Sequence, residues 1–167
     1  MTTAQKIRVL VVDDHTMIAQ GLRSVLDTYP NIEVVGQAAD GEAACRMVAT
    51  LQPALVLMDI NLPKMDGIAA TRFIRTNYPN IAVIGFSMNV HSYSEDAMMK
   101  AGAFEVLPKD KAVHDLYSAI QRAIASIQPV LILKEDQAKS SSSDVLIEES
   151  DPPEQNTQRS RTDGGLS

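Results

Sequence analysis

A doubly wound α/β fold, with a five-stranded parallel sheet and helices on both faces, is predicted by three observations on this 167-residue chain. Short β-branched runs occur five times, each of a length suited to a strand buried on both faces. Between and after them, apolar residues recur every three or four positions, the period of an amphipathic helix. Parallel neighbours need a crossover of about a dozen residues, which these segments supply.

In chain order, residues 8–12 are the first strand, and Ile18, Leu22, Val25 and Leu26 mark the first helix. Residues 32–35 are the second strand, followed by a helical pattern at Ala43, Ala44, Met47, Val48 and Leu51. Residues 55–58 make the third strand, with Ile68 and Ile74 on the helix after it. Residues 82–86 and 104–107 are the fourth and fifth strands. The last helix has the strongest pattern: Val113, Leu116, Tyr117, Ile120, Ile124 and Ile127, with Pro129 expected to end it. Asp40, Asp66 and Asp110 each precede a helical run, where a short acceptor side chain caps the first free N–H groups.

Composition changes near Lys134. Residues 134–167 are serine-rich, proline-interrupted and free of aromatics, with four basic and eight acidic residues, so they are expected to stay disordered. The apolar island at 145–147 reads as a chance cluster rather than a docking motif. Residues 1–133 form the expected folded domain, with its core at 7–127. The net charge of −6 and the lack of any basic block speak against direct nucleic-acid binding. The single cysteine, Cys45, has no intramolecular partner and is expected to be a buried thiol. With no signal-peptide core and no apolar run near the roughly 18 residues that span a bilayer, a cytoplasmic protein is expected.

In doubly wound sheets, ligands bind beyond the carboxyl ends of the strands. Here the first strand ends in Asp13 and Asp14, the third in Asp59, the fourth in Ser87 and the fifth in Lys109. Each has an ordinary explanation alone, as a cap, a turn residue or a solvated lysine. Their gathering at one rim has none. Two carboxylates about 4 Å apart repel by roughly 4 kcal/mol at an effective dielectric of 20, so three converging acids call for a cation. Hard oxygen ligands suit Mg²⁺, and metal with ammonium would hold an incoming phosphoryl group.

"VVDDHTM", "VLMDINLPKMDG", "GFS" and "VLPK", in this order and spacing, resemble the receiver domain of two-component response regulators. Within that family, "DDH" and the Lys109–Asp110 step are most similar to the subfamily that carries a C-terminal LuxR-type helix-turn-helix, for which residues 134–167 offer no counterpart. The resemblance implies a flavodoxin-like sheet of order 2-1-3-4-5. It also implies Asp59 as phosphoacceptor, and Mg²⁺ on Asp13, Asp14, Asp59 and the Asn61 backbone carbonyl. Ser87 and Lys109 would contact phosphoryl oxygens. Its implied partners are a histidine kinase or histidine phosphotransfer protein, and a downstream protein that binds the face of the fourth helix, fifth strand and fifth helix. A homodimer is compatible with it.

Two positions depart from the family pattern. Val106 stands where receivers commonly place Tyr or Phe, so a switch that turns a ring inward lacks its ring. Period-2 alternation places Phe104 on the same strand face, where core packing is its expected role. Met88 follows Ser87 where a small residue is usual, and its long thioether is expected to narrow the entrance. Of Met98 and Met99, at least one is expected in the core. His15 reads as a solvated residue entering the first helix, and His91 and His114 have no partner at a metal-ligand spacing.

The leading reading is therefore a single-domain response regulator that is not an enzyme beyond its own phosphorylation. A receiver fragment of a DNA-binding regulator is the alternative. An aspartate-nucleophile phosphatase would use similar rim chemistry, but it needs a second acid where this chain has Asn61, which cannot transfer a proton.

Overall fold

The computed structural model describes residues 4–88 and 92–140. Five strands, β1 (Ile7–Val12), β2 (Ile32–Ala38), β3 (Leu55–Asp59), β4 (Ala82–Ser87) and β5 (Glu105–Pro108), alternate with five helices. These are α1 (Thr16–Leu26), α2 (Gly41–Leu51), α3 (Gly67–Asn77), α4 (Ser92–Lys100) and α5 (Ala112–Ser140). All strand pairs are parallel and the order is β2-β1-β3-β4-β5, the flavodoxin-like arrangement.

Side-chain alternation along the strands builds two cores. Val9, Val11, Leu55, Leu57, Ile84 and Phe86 face α1 and α5, meeting Leu22, Leu26, Leu116 and Ile120. Leu10, Val12, Val56, Met58 and Val83 face the other way, meeting Ala44, Val48, Ala70, Ile74 and Met98 of α2, α3 and α4. The central strands are buried on both faces, which is why they read as unbroken apolar runs. The edge strand β2 is longer than its apolar run, because the register with β1 jumps from Val9↔Val34 to Leu10↔Gly36 and pairing then continues to Ala38. The bulge at Val35 carries the ladder past the point where the sequence pattern fades.

Three local expectations need correction. α5 runs through Pro129 to Ser140, so the proline does not end it. Proline has no N–H to donate to the carbonyl four residues earlier, a loss that costs a helix about 3 kcal/mol. The following Leu, Lys, Glu, Gln and Ala residues are strong helix formers that favour continuation. Asp40 and Asp66 cap α2 and α3, accepting from the Ala43 and Ala69 N–H groups at 2.7 and 2.8 Å. Asp110 does not take that position in α5: the first helical bond is donated by Asp115 N to the Lys111 carbonyl, one residue later. Phe104 does not share a face with Val106 either. The strand begins at Glu105, and Phe104 packs with the α1–α5 core while Val106 packs with the other.

Met98 is fully buried beside Gly85 and Val106, while Met99 is exposed. Cys45 is half-buried, its thiol 3.9 Å from the Met65 sulfur, and burial raises its pKa. No helix among the described residues is long and apolar enough to cross a membrane. Of the tail expected to be disordered from residue 134, residues 134–140 lie within α5, while those from 141 onward, with the apolar island at 145–147, and His91 lie outside the described residues.

Candidate phosphorylation site

Parallel pairing brings the strand ends to one rim. The Asp13 N–H donates to the Ala38 carbonyl at 3.0 Å, Ile60 N to Phe86 O at 3.0 Å, and Lys109 N to Ser87 O at 2.9 Å. These bonds continue the ladder beyond the strands, so Asp13, Asp59, Ser87 and Lys109 all lie at its carboxyl edge. Gly67 makes the turn after β3 possible. Its α-carbon lies against the Asp59 carbonyl, and a Cβ there would sit 1.9 Å from that oxygen.

Lys109 reaches across the rim. Its Nζ donates to Asp13 Oδ2 at 2.6 Å and to Asp59 Oδ2 at 2.9 Å, and all three side chains are at least 96% buried. Burial works to lower the lysine's pKa, but the hydrogen bonds to Asp13 and Asp59 outweigh it and the ammonium is held above its usual range. Asp59 is raised, chiefly because burial penalises its charge, with the neighbouring Asp13 adding to the effect and Lys109 opposing it. Asn61 N donates to Asp59 Oδ1 at 3.3 Å, which sets the Asn61 backbone beside the carboxylate. Ser87 is buried at the end of β4, and Met88 next to it is 66% exposed, turned outward to solvent.

Asp14 is exposed at the mouth, yet its carboxylate joins Asp13, Asp59 and His15 in a group whose candidate ligand atoms all lie within 4.8 Å of one another. Three carboxylates and one ammonium leave two negative charges, which a single divalent cation would balance. The donor chemistry therefore fits Mg²⁺. The sequence pattern anticipated every member of this cluster except His15. Its ring is 61% exposed, as expected of a solvated residue, but Nδ1 lies 3.2 Å from Asp13 Oδ1 and 3.0 Å from Asp14 Oδ1. His114 is exposed on α5 and is not part of the cluster.

A second polar link braces the rim. Lys64, held at φ 64° in the β3–α3 loop, places Nζ 3.0 Å from Asp40 Oδ2. Asp40 has a lowered pKa, mainly through the Ala43 N–H it accepts and then through Lys64. The α2 cap is thereby tied to the loop that follows Asp59.

The transcriptional regulatory protein MctR of Rhizobium johnstonii is 37% identical over 122 residues, covering 72% of this chain and 56% of MctR. The chain thus spans little more than half the length of that curated relative. Among solved structures, a LuxR-family response regulator from Aurantimonas sp. SI85-9A1 superposes with a TM-score of 0.69 at 32% identity, over 73% of this chain and 87% of the other. A chain of the CheX-CheY-BeF₃-Mg complex from Borrelia burgdorferi gives a TM-score of 0.63 at 26% identity, over 71% of this chain and 92% of the matched one. The profile of the response regulator receiver domain matches residues 9–121, a stretch that contains the whole acidic rim. On that match, the chain belongs to the response regulator receiver family of two-component signalling.

Proposed function

We propose that Asp59 is the phosphoacceptor and that Asp13, Asp14, Asp59 and the Asn61 backbone carbonyl hold Mg²⁺ beside it. The observation that carries this reading is the buried Lys109 ammonium bridging Asp13 and Asp59 at 2.6 and 2.9 Å. An Asp59 oxygen attacks the phosphorus of a phosphohistidine on a histidine kinase or phosphotransfer protein. A P–O bond forms while the P–N bond breaks, and the departing imidazole keeps the bonding pair and takes up a proton. The transition state is largely dissociative, so positioning and charge neutralisation are the protein's share. Lys109 transfers one donated hydrogen bond from Asp59 Oδ2 to a phosphoryl oxygen, and the Ser87 hydroxyl donates to another. Bound Mg²⁺ would supply charge neutralisation at the remaining oxygens. The chain accelerates only its own phosphorylation and dephosphorylation, and its output is a protein contact through α4, β5 and α5 or a homodimer.

Acetyl phosphate with Mg²⁺ is expected to label one phosphoryl group per chain by intact mass, with the label abolished by chelator and in Asp59→Asn. Catalytic turnover of a phosphate monoester, or labelling that persists in Asp59→Asn, would remove the proposal. A second reading, the receiver part of a transcriptional regulator, draws support from MctR, of which the chain covers 56%. The intact mass of the protein isolated from its natural source separates the two.

A further inference from the structure

His15 accepts the first helical hydrogen bond of α1 on its carbonyl, from Ala19 N at 3.0 Å, but its ring does nothing for the helix it opens. It occupies the N-cap of α1 with extended backbone angles (φ −90°, ψ 101°), yet its side chain makes no capping bond. Its backbone is held instead by the site: His15 N donates to Asp13 Oδ1 at 2.8 Å, a local turn that fixes where the ring begins. The ring then reaches over the rim, with Nδ1 3.2 Å from Asp13 Oδ1 and 3.0 Å from Asp14 Oδ1. Adjacent ligands of a six-coordinate ion with bonds near 2.1 Å stand about 3.0 Å apart, so the spacing of Nδ1 from either carboxylate oxygen suits two neighbouring positions on one ion. Nδ1 stands at hydrogen-bond distance from the carboxylates, donating to them while it carries the ring proton; with that proton on Nε2, its lone pair would face a cation held in the same space.

We infer that His15, through the placement of Nδ1 against Asp13 Oδ1 and Asp14 Oδ1, supplies a nitrogen ligand to the cation of this site. The inference rests on the reading of Asp13, Asp14 and Asp59 as a metal site. An all-oxygen site favours hard ions, whereas imidazole suits first-row transition ions, so this receiver discriminates less against Mn²⁺ and Ni²⁺ than an oxygen-only site would. His15 is then a residue that sets metal preference. Mg²⁺, which prefers oxygen and keeps its waters, gains little from it.

The test uses the full chain with Mn²⁺ as probe. Free Mn²⁺ measured by electron paramagnetic resonance gives its affinity directly, and competition gives those of Ni²⁺ and Mg²⁺. His15→Gln is expected to weaken Ni²⁺ and Mn²⁺ binding by about tenfold or more, comparable to the loss of other groups that shape a metal site, with Mg²⁺ affinity little changed. Electron spin echo modulation from an imidazole nitrogen is expected on wild-type Mn²⁺ and absent in His15→Gln, which also sets aside His91 and His114. Wild-type spectra without nitrogen modulation, equal affinity ratios in the two proteins, or tighter Mg²⁺ binding in His15→Gln would overturn the inference, the last showing a ring that merely fills the space of the ion. Mg²⁺-dependent acetyl phosphate labelling of the same preparations keeps the two readings apart. Labelling without nitrogen coordination removes only this inference, while failure of Mg²⁺ to bind or support labelling removes the reading beneath it.

Discussion

Asp59 sits under opposing influences, and their balance gives a sign that can be measured. Burial disfavours its carboxylate, Asp13 adds repulsion, and Lys109 offsets part of both, leaving its pKa above the ordinary value. A carboxyl with a raised native pKa destabilises the fold once ionised. The penalty is full above the native pKa and falls away as pH drops through it toward the unfolded value. In chelator-treated protein, Asp59→Asn is therefore expected to unfold at higher urea than wild type at pH 7, with the gap closing as the pH is lowered. A less stable variant at pH 7, or a gap indifferent to pH, would contradict this account. Lys109 works the other way: its raised pKa means that its stabilisation holds below the usual lysine value and is lost only when the pH climbs past the native one. Asp13, Asp14, Asp59 and Lys109 were legible in the sequence because a residue at a strand end has only one edge to occupy. His15 was not, because its part depends on a ring orientation that no spacing rule encodes.

At the level of elements, the turn after β3 leaves less room for a side chain at Gly67 than exists at any other glycine among the described residues. Gly67 N donates to the Ile60 carbonyl at 3.0 Å, and a methyl on Gly67 would fall on the Asp59 carbonyl at 1.9 Å. Gly67→Ala must displace that carbonyl, and so disturb the backbone that positions the Asp59 side chain. A loss of about 1–3 kcal/mol in urea unfolding is expected, the range seen for overpacking. Acetyl phosphate labelling should fall along with it, and unchanged stability would mean that the backbone yields freely. α5 offers the opposite case. Pro129 interrupts one hydrogen bond of a helix that nonetheless continues to Ser140. Pro129→Ala restores the N–H, removes a cost of about 3 kcal/mol to that helix and should raise the far-ultraviolet helical signal. An unchanged signal would show that the segment gains nothing from the restored bond. Apart from α4, whose polar stretch shows no apolar stripe, the elements were plain in the sequence, whereas their ends were not. Helix periodicity locates a buried stripe but carries no information past Ile127, and the alternation rule failed at Phe104 because that residue precedes the strand. β2 outran its apolar run because pairing resumes after the bulge at Val35 through Gly36, Gln37 and Ala38, which carry no strand signal of their own.

For the molecule as a whole, apolar runs and crossovers gave the fold class, but the order β2-β1-β3-β4-β5 came from the resemblance, since periodicity does not say which strands are neighbours. That order matters for energetics. It sets β1 beside β3, and so Asp13 and Asp14 beside Asp59, concentrating negative charge that one lysine does not neutralise. The fold tolerates this rim because the two sheet faces are packed with fully buried side chains such as Leu10, Leu57, Ile84 and Ile120, each contributing about 1.5–3 kcal/mol by burial. A cation that binds the native rim and not the unfolded chain should then stabilise the entire domain. At a free concentration 100 times the dissociation constant, the gain is about 2.7 kcal/mol, which for a domain of this size is a rise in melting temperature on the order of 10 °C. The rise should saturate with Mg²⁺, fail to appear with Na⁺ at equal ionic strength, and be reversed by chelator. Asp59→Asn and Asp13→Asn, each lacking one ligand charge, should lose most of it, while His15→Gln should retain it. An equal rise in wild type and Asp59→Asn would place the effect on the general surface charge instead, and the strand-end carboxylates would then need another reason to lie together.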